Sequence, residues 1–191
     1  VMFIFYVVRN LLVSVAVAVS AASCAKKPMP SSAKPLSAIV ETEPVLSLED
    51  AADDPALWVH PTDPQLSLVI GTDKQYGLEV YGLDGRRHKR IAAGLTNNVD
   101  IRLLPSPWPV GTALLAASNR TLNTLSLFVM SPDGELVWLT ESEVATGLNA
   151  VYGLCLFSNS EGIQAFVNDK DGRYQQWGLE ITLRQGVRED V

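Results

Sequence analysis

The chain has 191 residues, 47% of them apolar and 19% charged, with 15 basic against 21 acidic side chains and a net charge of −6. That apolar share excludes a disordered chain and is enough to bury the core of one ordinary domain. The negative balance excludes nucleic acid as the main partner, because phosphate backbones select basic proteins.

Taken in chain order, residues 1–23 read as a targeting segment. The apolar stretch from Leu11 to Ala22 is short for a membrane span, Arg9 and Asn10 precede it, and Ala21-Ala-Ser-Cys24 closes it. Small residues before a cysteine resemble a bacterial lipoprotein cleavage site, which would make Cys24 the lipid-bearing first residue. An ordinary secretory signal, or an uncleaved span from Met2 to Ala22 interrupted by Arg9, remains open. Each of the three readings exports the chain, to the outer membrane, the periplasm or the exterior. Residues 24–38, with Lys26, Lys27, Pro28, Pro30, Ser31, Ser32 and Pro35, read as a flexible tether.

Residues 39–191 show no helical periodicity and many short runs rich in Val, Leu, Tyr and Trp, which predicts an all-β domain. The expected strands are 56–59, 67–72, 78–83, 100–104, 113–117, 125–130, 136–140, 153–158, 164–168 and 174–179. Three Asp-Gly pairs, at 84–85, 133–134 and 171–172, predict tight turns, since glycine tolerates the positive φ they need. Three apolar strands end in an acidic or amide residue followed by a base: Asp73-Lys74, Asn119-Arg120 and Asp169-Lys170. Their offsets of 46 and 50 residues suit one four-stranded propeller blade per repeat. Equivalent positions in a repeat point the same way, so the three cations predict one face that holds a polyanion. About 150 residues make only about three blades, fewer than a closed propeller needs. The expectation is a partial β-propeller that self-associates through unpaired blade edges.

Carboxylates are densest at Glu41-Thr-Glu-Pro44 and Glu49-Asp-Ala-Ala-Asp-Asp-Pro55, directly before an apolar strand, where a cation would relieve their repulsion. Calcium, with six to eight oxygen ligands, suits irregular acidic loops, although the spacing matches no EF-hand. A solvated acidic loop is the plainer reading of the same residues. Asn97-Asn-Val-Asp100 offers further oxygens from side chains and from the Val99 carbonyl, or is simply a turn. His60 and His88 form no pair, and Cys155, between Leu154 and Leu156, reads as a buried strand residue. With no P-loop, nucleophile elbow or His-Glu-x-x-His motif, any hydrolysis is expected to be metal-driven.

Seven segments together resemble the amino-terminal half of the β-propeller phytases. They are Glu41-Thr-Glu-Pro, Asp53-Asp-Pro-Ala-Leu-Trp-Val-His-Pro61, Gly71-Thr-Asp-Lys74, Gly77-Leu-Glu-Val-Tyr81, Asn97-Asn-Val-Asp-Ile-Arg102, Ala117-Ser-Asn-Arg120 and Val151-Tyr-Gly153. The resemblance implies a six-bladed fold and calcium-dependent hydrolysis of phytate, myo-inositol hexakisphosphate, of the 3-phytase type. It also implies calcium ligands at Glu41, Asp53, Asp54, Val99 and Asp100, and phosphate contacts at Lys74, Arg120, Tyr152 and Lys170. Gln75 departs from the second lysine of many relatives, and the chain stops before the family's later metal-binding carboxylates. A non-catalytic half propeller that binds calcium and inositol phosphates is the alternative.

Overall fold

Three antiparallel sheets follow one another along the chain, and each builds from its first strand outward. The computed structural model describes residues 36–104 and 111–179. The first sheet runs β1 (Ala52–Trp58), β2 (Leu68–Asp73), β3 (Gly77–Gly82) and β4 (Arg87–Ile91) in that spatial order. The second runs β5 (Thr96–Leu103), β6 (Ala113–Asn119), β7 (Thr124–Met130) and β8 (Leu136–Trp138), with the two-residue β9 (Val144–Ala145) pairing to the start of β7. The third has β10 (Val151–Asn159), β11 (Gly162–Asp169) and β12 (Tyr174–Leu179). The leader, Cys24 and the tether as far as residue 35 lie outside the described residues. Among the described residues no helix is long and apolar enough to cross a membrane.

The sheets stack because their strands alternate. In β6 and β7 every residue is buried, since the second sheet is covered on both faces. Ala113, Leu115, Ala117, Phe128 and Met130 face the first sheet and join Trp58, Ile70, Leu78 and Val80 in one core. The intervening Leu114, Ala116, Leu125, Leu127 and Val129 face the third sheet, joining Leu156, Ile163, Ala165 and Val167. The period of two in the sequence thus becomes two cores, one on each side of the middle sheet. β1 packs on β5, and β5 on β10, so the first strands of the three sheets lie side by side.

A buried ion network covers the other face of the first sheet. Glu79 is fully buried, with Arg87 Nε and Arg90 Nε each 2.6 Å from its carboxylate. The Arg90 contact is also a hydrogen bond, whereas the Arg87 contact is an ion pair at an angle too poor for one. Arg90 stacks over Tyr76 with 3.7 Å to the ring centroid and reaches Asp73 at 3.2 Å. The segment before β1 straps this face: Glu43 N–H donates to Gly85 O at 2.8 Å, Arg87 donates to Pro44 O, and Ser47 Oγ donates to Asp73 at 2.6 Å. Buried charges of this kind are tolerated because partners surround them.

The structure corrects three expectations. A strand lies where none was expected: Arg87–Ile91 pairs with β3 as β4, with Arg87 and Arg90 set against Glu79 and the strap. Asn97 to Val99 belong to a strand rather than a turn: β5 begins at Thr96, ahead of the expected start at 100, and is held to β6 across a bulge between Thr96 and Val99. Cys155 is exposed rather than buried. It alternates with the inward-facing Leu154 and Leu156, and the face it shares with Phe157 has no neighbouring sheet among the described residues. The Asp-Gly turns form as expected, with φ of 81° at Gly85, 84° at Gly134 and 90° at Gly172. The third, however, links β11 to β12 beside Lys170, at the opposite end of its sheet from the other two.

Candidate functional site

The three acid-or-amide and base pairs occupy equivalent places. Asp73, Asn119 and Asp169 end β2, β6 and β11, each the second strand of its sheet. The backbone N–H of the following cation then bonds to the carbonyl just ahead of the same sheet's first strand. Lys74 donates to Ala51 O at 2.8 Å, Arg120 to Leu95 O at 2.9 Å and Lys170 to Ala150 O at 3.3 Å. All three cations are therefore carried at one end of three stacked sheets, as the repeat predicted.

The first two cations touch. The Arg120 guanidinium donates from Nη2 to Lys74 O at 3.1 Å and from Nε to Leu95 O at 3.4 Å. Lys74 Nζ lies 2.8 Å from Asp50 and 3.5 Å from Asp53. The hydrogen bond to Asp50 raises the Lys74 pKa above its ordinary value, against the opposing effect of burial, so the ammonium stays charged. Asp50 is 91% exposed, so its ion pair with Lys74 is wet and weak, and Asp53 is the more sheltered partner. Gln75 turns away, donating to Leu48 O at 2.6 Å.

The third cation has a different setting. Lys170 Nζ lies 5.0 Å from the centre of the Tyr152 ring, a cation–π pair at the start of β10. A relay of hydrogen bonds ties Tyr152 to the other sheets. Asp54 accepts from Asn98 Nδ2 at 3.1 Å and from Val99 N–H at 3.0 Å. Asn98 N–H donates to Ser118 Oγ at 2.9 Å, and Ser118 Oγ donates to Tyr152 O at 2.6 Å. Ser118, fully buried, and Asp50 are site residues that the sequence reading missed. Asp50 stands within the noted acidic cluster, whereas a serine between alanine and asparagine carries no signal of its own.

The carboxylates expected to hold calcium are placed apart. Glu41 sets its backbone carbonyl against Gly85 in the β3–β4 turn, at the other end of the first sheet from Lys74. Asp53 faces Lys74, and Asp54 braces β5 through Asn98 and Val99. Asp100 accepts from Leu156 N–H at 2.8 Å and pairs with Arg102 at 2.5 Å, fastening the second sheet to the third. A cavity of about 230 Å³ is bordered by Glu43, Asp53, Asp54 and Tyr81. Even so, among the described residues no three His, Cys, Asp or Glu side chains are grouped to hold one metal ion. Taken alone, these residues fall short of the six to eight oxygens that calcium takes.

The candidate site offers three cations on equivalent turns and a tyrosine, an arrangement chemically suited to an anion bearing several charged groups. Comparison with known proteins gives the same direction. The Phytase family model matches residues 2–186. The 3-phytase of Bacillus subtilis (strain 168) is 37% identical over 154 residues, covering 75% of this chain and 40% of that protein. The chain thus spans about 40% of the length of this relative. On the family model and this relative together, the chain belongs to the Phytase family.

Proposed function

We propose that this chain is the substrate-gripping part of a β-propeller phytase, acting on myo-inositol hexakisphosphate by phosphomonoester hydrolysis of the 3-phytase type. The observation that carries the reading is the placement of Lys74, Arg120 and Lys170 on equivalent turns at one end of three sheets. Lys74 and Lys170 supply point charges, and Arg120 supplies a planar fork whose Nη2 is already aimed across the turns. Tyr152, set by Ser118 and stacked by Lys170, adds a hydroxyl donor at the rim. In the reaction a water oxygen bonds to phosphorus as the ester P–O bond breaks, and the leaving inositol oxygen takes a proton. The cations hold the substrate for in-line attack and offset its charge.

Calcium dependence belongs to this reading through the family resemblance. Glu41, Asp53, Asp54, Val99 and Asp100 give it only a partial, dispersed ligand set among the described residues, so no step is routed through the ion. The second reading is a module that binds calcium and inositol phosphates without turnover. The exported location, a lipid anchor at Cys24 and self-association through sheet edges are further parts of the proposal.

The test is phosphate release from phytate by this chain, with and without a calcium chelator, beside calorimetric binding of the same substrate. Release abolished by the chelator supports the enzyme. Tight binding with no release at any calcium concentration favours the binding module, and release that ignores the chelator removes calcium from the mechanism.

A further inference from the structure

In each sheet the residue before the cation is buried and turns its side chain back into its own turn. Asp73 and Asn119 are 0% exposed and Asp169 is 2% exposed. Asp73 Oδ1 accepts from Gln75 N–H at 3.0 Å, Asn119 Oδ1 from Thr121 N–H at 3.0 Å, and Asp169 Oδ1 from Asp171 N–H at 3.4 Å. The donor is two residues on in every case, and the cation is the residue in between. Such a side-chain bond closes a turn that would otherwise hang on main-chain contacts alone. A buried polar group is retained only where it is hydrogen-bonded, and here three equivalent positions spend that group on the same turn.

The residue type at each place follows from its other partners. At Asp73 and Asp169 the second oxygen meets a guanidinium, from Arg90 at 3.2 Å and Arg173 at 2.8 Å, so a carboxylate fits. At Asn119 the oxygen also accepts from Leu122 N–H at 3.4 Å, and the amide N–H groups donate to Ala93 O at 2.7 Å and Ser126 Oγ at 2.9 Å. A carboxylate there would set oxygen against a buried carbonyl, so the position takes an amide.

We propose that Asp73, Asn119 and Asp169 are positioning residues for polyphosphate binding, each fixing the turn that presents Lys74, Arg120 or Lys170. They touch no phosphate themselves. The inference rests on the reading that these cations grip phosphate, and it adds that the grip depends on buried turn acceptors one residue upstream.

The experiment is calorimetric titration of the full chain with myo-inositol hexakisphosphate, at a temperature where circular dichroism shows each variant folded. D73A and D169A are expected to weaken binding about tenfold, because displacing a charged contact by roughly an ångström is costly. D73N and D169N keep an oxygen for the turn N–H but set an amide donor against Arg90 or Arg173, and are expected to recover part of that loss. Folded alanine variants that bind as wild type overturn the proposal. So do asparagine variants that fall as far as K170A, since the charge rather than the turn bond would then be responsible. If K74A, R120A and K170A all bind as wild type, it is the underlying reading of the cations that fails.

Discussion

The Arg120 guanidinium donates to the main-chain carbonyl of Lys74 at 3.1 Å, so the cation of the second sheet braces the turn that carries the cation of the first. A lysine cannot reproduce this contact, because it lacks a planar fork able to hold a carbonyl and face a ligand together. R120K is therefore predicted to lose about tenfold in phytate affinity, a loss of the size carried by one charge-assisted hydrogen bond, while R120A loses more. Both variants should melt close to wild type, since Arg120 lies at the surface end of its strand. Calorimetric affinities for R120K equal to wild type would remove Arg120 from the site.

Ser118 links two sheets through one buried hydroxyl, accepting from Asn98 and donating to Tyr152. S118A leaves the N–H of half-buried Asn98 and the Tyr152 carbonyl without their partner, which costs about 1 kcal/mol. Urea unfolding should show a lower midpoint with an unchanged slope. Tyr152 loses its anchor in the same variant, so phytate affinity is expected to fall as well. An unfolding midpoint equal to that of wild type would show that the relay contributes nothing.

Burial would push the Asp169 carboxyl upward, but the N–H groups of Asn149, Ala150 and Asp171 and the charge of Arg173 outweigh it, so its pKa falls below the ordinary value. A group depressed in the folded state adds stability above its unfolded pKa and loses it as pH falls through the folded one. Wild type should thus lose stability progressively below about pH 4, while D169N shows a flatter acid limb. Denaturant titrations at a series of pH values check this, and parallel acid limbs would contradict it.

Cys155 stands on the open face of the third sheet, beside Phe157, which is 49% exposed. An exposed thiol should be alkylated by iodoacetamide in the folded protein within about an hour near pH 8. Peptide mapping by mass spectrometry reads the site directly. Protection of Cys155 until denaturant is added would show that another surface covers this face.

Much of the fold was legible because strands advertise themselves by period. The expected strand 164–168 forms within Gly162–Asp169, where Ile163, Ala165 and Val167 pack inward. Arg87–Ile91 escaped detection because its partners are charges: nothing in a run of basic residues announces a buried Glu79 waiting across the pair. Cys155 was misplaced because apolar neighbours predict burial only if a second layer covers that side of the strand. At the site, the cation-bearing turns were readable from a repeat with near-constant offsets. The uses of Asp54 and Asp100 were not, since an aspartate that binds a metal and one that holds an N–H of the next sheet look alike in one dimension.

By itself the sequence determined that the domain is all-β, that its unit recurs, and that each unit ends a strand with an acid or amide followed by a cation. These are local properties, set by side-chain alternation and turn chemistry within a few residues. Only the tertiary structure decided that the second sheet is buried on both faces, that Arg120 reaches Lys74, and that the acidic residues divide between an ion pair, a brace and an inter-sheet bond. Those outcomes depend on contacts between residues some 21 to 56 positions apart, such as Lys74 with Asp53, Val99 with Asp54 and Leu156 with Asp100, whose pairing is fixed by how the strands and sheets come together.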